Sequence, residues 1–238
     1  MARMTLDDLV AQLTKAFGSG LRSVVLYGSA AAGEHIPNRS DYNVLVIADG
    51  FDLDTLHKAA AVSRAWAEAG NAAPLTFTAQ EWRSSADVFP MEYADILERH
   101  RVLYGEAPFD GIAVDTRDLR LQLEHQAKGK VLQLRRAILA SHGDSKRLIE
   151  LLSASLSTFM VLFRALVRLY GEVPPADNEA LIREVAAKTG VSPEPFVRVV
   201  HHVRGTATLA PRDVNDVLAG YLQGAEQVAA FVDKMSVE

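Results

Sequence analysis

Between Val24 and Asp49 the chain reads VVLYGSAAAGEHIPNRSDYNVLVIAD, two apolar runs joined through a Gly-Ser turn and a Pro-Asn-Arg loop. Val24 to Tyr27 is β-branched and aromatic, enough for a buried strand. Gly28-Ser29 interrupts it, and Ala30 to Ala32 favour a short helix. A strand ending in Gly-Ser and feeding a helix N-terminus is a physical anion site. Glycine lets the backbone come close, and free N–H groups and the Ser29 hydroxyl can donate to phosphate oxygens. Ser40-Asp41 opens the second strand after the Pro37-Asn38-Arg39 punctuation. Strand residues two apart share a face, so Asp41 and Asn43 set a carboxylate beside an amide. An ordinary strand-to-helix turn with a solvated edge acid fits the same pattern.

At these residues the chain resembles the nucleotidyltransferase superfamily of DNA polymerase β-like folds. That pattern is a hydrophobic strand, Gly-Ser, a spacer, then Asp-x-Asp or Asp-x-Glu on the next strand. Gly28, Ser29, Gly33, Ser40 and Asp41 fit it. Aminoglycoside nucleotidyltransferases and minimal nucleotidyltransferase antitoxins are the members it is most similar to. Eleven residues separate Ser29 from Asp41, one more than the usual spacer, and Asn43 stands where the second carboxylate should be. The resemblance implies Mg²⁺-dependent transfer of a nucleoside monophosphate, AMP from ATP, to a hydroxyl of a small molecule or a protein. It places Gly28, Ser29 and Ser40 at the nucleotide, and Asp41 and Asn43 at the metal.

Asn43 matters because paired carboxylates hold the Mg²⁺ that neutralises and positions the triphosphate. An amide oxygen ligates Mg²⁺ but brings no charge. Some members carry a third acid on a later strand. The corresponding run here, Pro74 to Gln80, offers Thr76 or Thr78 instead, and Glu81 and Glu92 are the nearest downstream acids that could replace a lost ligand. The chain is therefore either a pared-down enzyme or a fold that binds nucleotide without turning it over. A third alternative is an antitoxin-like interaction protein that acts through its helical half.

Other chemistries are poorly served. Glu34 follows Gly33 where a P-loop needs lysine, and no dinucleotide fingerprint follows a strand. The chain has no cysteine, which excludes disulfides, thiolate catalysis and Cys-based zinc sites. A net charge of −5 gives nucleic acid no electrostatic attraction. The N-terminus has early acids and no long apolar core, unlike a secretory signal. The uncharged apolar stretch Leu151 to Phe163 is short for a bilayer. A cytoplasmic location with no membrane partner is the expectation.

The remaining pattern predicts an α+β chain, a mixed-sheet nucleotidyltransferase domain over residues 1–110 and an all-α helical bundle over 117–238. Thr5 to Phe17 reads as a capped amphipathic helix, and a helix after Asp52 presents Leu56, Ala59, Ala60, Ser63 and Ala67 with Trp66 as anchor. Pro74 to Thr78 is a third strand. A helix from Pro90 sets Glu92 and Asp95 one turn apart on a shared face, which a solvated helix surface also explains, and a fourth strand spans Arg101 to Tyr104. After the Pro/Gly-containing Glu106 to Thr116, helices follow. Leu119, Leu123, Ala127, Val131, Leu134 and Ile138 mark the core face of the first. Val214, Leu218, Tyr221, Ala225, Val228, Val232 and Met235 form a seam in the last that could pair two copies into a homodimer.

In the aminoglycoside-type enzymes the helical domain can supply a glutamate base and a lysine for phosphate. The resemblance implies Glu124 for the base and Lys128 or Lys130 for the phosphate. An intrahelical Glu124–Lys128 pair, with Lys130 extending its stem to water, explains the same residues.

Overall fold

The computed structural model describes residues 4–31 and 42–236. The chain divides into two compact units, Met1–Asp115 and Thr116–Glu238.

The first unit is built on four strands, β1 (Leu21–Tyr27), β2 (Asn43–Ala48), β3 (Leu75–Thr78) and β4 (His100–Gly105), in the order β3-β2-β1-β4. β1 pairs antiparallel with β2 and β4, and β2 pairs parallel with β3, so the sheet is mixed. Helices α1 (Leu6–Phe17), α2 (Leu53–Glu68), α3 (Ala79–Ser84) and α4 (Pro90–Glu98) flank it. Strand alternation divides the core in two. Val24, Leu26, Val44 and Val46 pack with Leu9, Leu13, Val62 and Trp66 of α1 and α2. Val25, Leu45, Ile47 and Phe77 pack with Trp82, Tyr93 and Ile96 of α3 and α4. Both faces are covered, which is why β1 and β2 read as continuous apolar runs.

The helix signals are local. Thr5 caps α1 through a capping box with Asp8, Asp52 caps α2, and Gly18 stops α1. The face expected of α2 is rotated. Val62 and Trp66 are buried while Leu56 is 43% exposed. An alanine-rich helix has too little hydrophobic contrast to fix its own phase.

The second unit contains α5 (Thr116–Ser141), α6 (Ser145–Leu169), α7 (Asn178–Thr189), α8 (Glu194–Arg204) and α9 (Val214–Lys234). α6 packs on the other four. It runs 25 residues and, by length and composition, is long and apolar enough to cross a membrane, although the stretch inside it read as short. Its Leu152, Phe159, Leu162, Phe163 and Leu166 are buried, as in the core helix of a bundle. The α9 seam is consumed in the same way. Val214, Leu218, Tyr221, Ala225, Val228 and Val232 are buried within the chain, so that seam does not offer itself to a second copy.

Candidate functional site

The antiparallel pairing of β1 and β2 sets Tyr27 directly opposite Asn43. The end of the first strand and the start of the second are thereby side by side. Gly28 follows Tyr27 with φ +74°, the left-handed region that favours glycine, and opens a 3₁₀ turn over Gly28–Ala30. Ser40 and Asp41 lie outside the described residues, and so does the Ser29 hydroxyl.

The turn's own donors are partly committed. The Gly28 N–H donates to the Arg99 carbonyl at 3.0 Å, and the Ala31 N–H to the Gly28 carbonyl at 3.1 Å. The Gly28 N–H is therefore committed to Arg99 rather than open to a phosphate. Gly28 contributes shape, with the backbone open on one side.

Helix α4 faces that opening. A Cβ on Gly28 would lie 3.4 Å from Asn43 Nδ2 and 3.4 Å from Asp95 Oδ2, so amide and carboxylate converge on the space that glycine leaves. Asp95 Oδ1 accepts from Arg99 Nη2 at 2.6 Å, and the two side chains are 25% and 14% exposed. Tyr27 completes the wall. Its phenol is pushed up to about 12, first by burial and then by the negative charge of Asp95 and of Glu92. Asp95 thus belongs to this site rather than to a solvated face.

The convergence follows from alternation. Leu45 and Ile47 pack on the α3 and α4 side, and Asn43 lies in phase with them. On β3 the residues in that phase are Leu75 and Phe77, packed in the same cluster. Thr76 pairs with Val46, whose side chain packs with α1 and α2, so Thr76 points away from Asn43. Thr78 and Glu81 are engaged in a capping box at the start of α3. The Thr78 N–H donates to Glu81 Oε2 at 2.8 Å and the Glu81 N–H to Thr78 Oγ1 at 3.1 Å. Glu81 is therefore a helix cap rather than a substitute ligand. The Thr-x-x-Glu signature for that role is visible in the sequence.

Glu124, Lys128 and Lys130 lie on α5 in the second unit. Glu124 accepts from Arg120 Nη1 at 2.8 Å and from Lys128 Nζ at 2.7 Å. Lys128 also donates to Asp233 Oδ1 of α9 at 2.7 Å, and Asp233 and Glu124 raise its pKa. Lys130 donates to Gln133 Oε1 at 2.7 Å. Glu124 and Lys128 are together, in a network that ties α5 to α9, and Lys130 stands apart from it. The two neighbouring histidines diverge. His201 Nε2 lies 3.0 Å from Glu179 Oε2, while His202 Nδ1 accepts from the Leu209 N–H at 3.2 Å.

A mixed four-stranded sheet with a Gly-Ser turn at the end of a central strand, followed by a helical region, is the nucleotidyltransferase fold with a helical domain. Its structure is similar to that of the spectinomycin adenyltransferase AAD(9) from Enterococcus faecialis, solved with ATP and spectinomycin. The TM-score is 0.61, over 93% of this chain and 97% of that chain, at 12% sequence identity. At that identity the likeness is one of fold. No protein-family model matches the chain, and no curated protein sequence matches it.

Proposed function

We propose that the protein binds a Mg²⁺–nucleoside triphosphate at the Gly28 turn and transfers a nucleoside monophosphate, AMP from ATP, to a hydroxyl of a small molecule or a protein. The observation that carries this reading is the convergence of Gly28, Asn43 and Asp95 in a fold shared with an enzyme solved with ATP. Mg²⁺ is held by one or two carboxylates together with substrate phosphates rather than by an all-protein cage. Among the described residues no group of three or more His, Asp or Glu could hold a metal ion. The Asp95 carboxylate and the Asn43 amide, which a half-turn of its side chain lets present oxygen, fit that modest donor requirement. Asp41, outside the described residues, adds the carboxylate named by the sequence. The ion, when bound, would supply charge neutralisation at the phosphates.

In the transfer, the acceptor oxygen forms a bond to the α-phosphorus, the bond to the bridging oxygen breaks, and pyrophosphate leaves. The acceptor's proton passes to a carboxylate, the role assigned to Glu124, with Lys128 or Lys130 at the phosphates. Glu124 accepts from Arg120 Nη1 and from Lys128 Nζ, so it must give up one of these contacts to reach an acceptor hydroxyl. A second reading, nucleotide binding without transfer, is favoured by Asn43 itself, whose neutral amide replaces a charge.

Calorimetric titration with ATP, with and without Mg²⁺, tests both readings on wild type and Asp41→Ala. Mg²⁺-dependent binding that is lost in the variant is expected. Binding unaffected by the substitution would overturn the assignment of Asp41. Pyrophosphate release on adding hydroxyl acceptors separates transfer from binding alone.

A further inference from the structure

We infer that Asp95, delivered by helix α4, replaces the carboxylate that β2 lacks at Asn43 and is the second acid of the metal–nucleotide site. The inference rests on the nucleotide reading above and names which side chain restores its missing charge.

Three observations converge on Asp95. First, its Oδ2 meets the Asn43 amide across Gly28, each 3.4 Å from the point a Cβ would occupy. A negative oxygen therefore stands on the same side of the β2 start that an acid at position 43 would serve. Second, the carboxylate is held in place. Oδ1 accepts from Arg99 Nη2 at 2.6 Å, one helical turn away, and the Arg99 carbonyl accepts from the Gly28 N–H. The end of α4 is thus fastened to the turn, and the Asp95 carboxylate is held beside the glycine. Third, two of the alternatives are excluded. β3 presents Leu75 and Phe77, and Glu81 is committed to its cap.

A purely structural role for Asp95, as the anchor for Arg99, makes a different prediction from a charge that the ligand needs. Three variants separate them: Asp95→Asn, Asn43→Asp, and the double variant that moves the charge from α4 to β2. The probe is ATP with Mg²⁺, followed by calorimetry. Mn²⁺–ATP, followed by electron paramagnetic resonance, reads the metal directly and needs no turnover. Asp95→Asn is expected to weaken metal–nucleotide binding by roughly tenfold or more. The double variant is expected to regain most of that loss, because an anchor for Arg99 cannot be replaced from position 43.

Wild-type-like binding in Asp95→Asn would overturn the inference and leave the nucleotide reading standing. So would a loss that the double variant fails to recover while its thermal unfolding matches wild type. Wild-type protein that takes up no metal–nucleotide would remove the underlying reading as well. If Asp95→Asn does not fold, carbon NMR of aspartate carboxylates in wild-type protein decides. The Asp95 signal should broaden on adding Mn²⁺–ATP, and an unchanged signal would overturn the assignment.

Discussion

Gly28 and Gly105 share nearly the same backbone, with φ of +74° and +75°, yet their surroundings differ. At Gly105 an added Cβ would fall 1.9 Å from the Arg22 carbonyl oxygen, a backbone atom that cannot turn aside. That approach lies on the β1–β4 ladder, where Gly105 pairs with Ser23, whose hydroxyl donates to the Glu106 carbonyl at 2.6 Å. At Gly28 the same atom would, among the described residues, touch Asn43 and Asp95 at 3.4 Å. Gly28→Ala should therefore cost the left-handed penalty alone, about 1–2 kcal/mol. Gly105→Ala adds a backbone collision and should cost about 3 kcal/mol or more. Urea unfolding of both variants checks the order. Gly28→Ala should also weaken Mg²⁺–ATP binding out of proportion to its stability loss, because its methyl enters the space on which amide and carboxylate converge. Gly105→Ala, where it folds, should bind as wild type does.

Among the helices, α8 and α9 meet closely at two glycines of α9. A Cβ on Gly224 would sit 2.6 Å from Phe196 Cε2, and one on Gly220 2.6 Å from Pro195 Cγ. Phe196 cannot retreat freely, since its ring lies 5.1 Å from that of Phe163 and 4.3 Å from that of Tyr221. Gly224→Ala should overpack the bundle and lower its stability by about 1–3 kcal/mol, read from thermal unfolding. A stabilising alanine, as helix propensity alone would give, would show that α8 can shift. Sequence periodicity located these elements well wherever apolar contrast was high. Leu119, Leu123, Ala127, Val131 and Leu134 are the buried face of α5, and the seam of α9 is buried from Val214 to Val232. It misphased α2, where small residues surround the helix. The site divides along the same line. The neighbourhood of Gly28 and Asn43 needed only that the two strands be adjacent, and the Glu124–Lys128 pair only helical spacing. Asp95 required two things that local pattern does not carry, the packing of α4 on one face of the sheet and the phase of β2 on that face. Asp233, 105 residues from Lys128, is equally long-range.

For the molecule as a whole, buried tyrosines govern its behaviour in alkali. Tyr27 and Tyr93 lie in the first unit and Tyr221 in the second. Burial is the main cause that raises all three phenols, Tyr27 to about 12 and the other two further. Tyr93 and Tyr221 are fully buried, with their hydroxyls hydrogen-bonded to the Trp82 carbonyl at 2.7 Å and to Ser155 Oγ at 3.0 Å. An unfolded phenol releases its proton at about 10. Below that pH both states keep the proton, and these groups give stability no slope. Above it the unfolded chain loses protons that the folded chain retains, so ionisation favours unfolding. Stability should hold up to about pH 10 and fall steadily toward about pH 12. Tyr221→Phe should remove one phenol's share of that slope and leave a shallower decline. The check is a series of urea unfolding curves across that range, with absorbance at 295 nm following phenolate appearance. Phenolate from three of the six tyrosines that appears only together with unfolding fits buried, protonated Tyr27, Tyr93 and Tyr221. Phenolate from all of the tyrosines in still-folded protein near pH 10 would mean that water reaches these rings and that the aromatic cores are looser than their packing indicates.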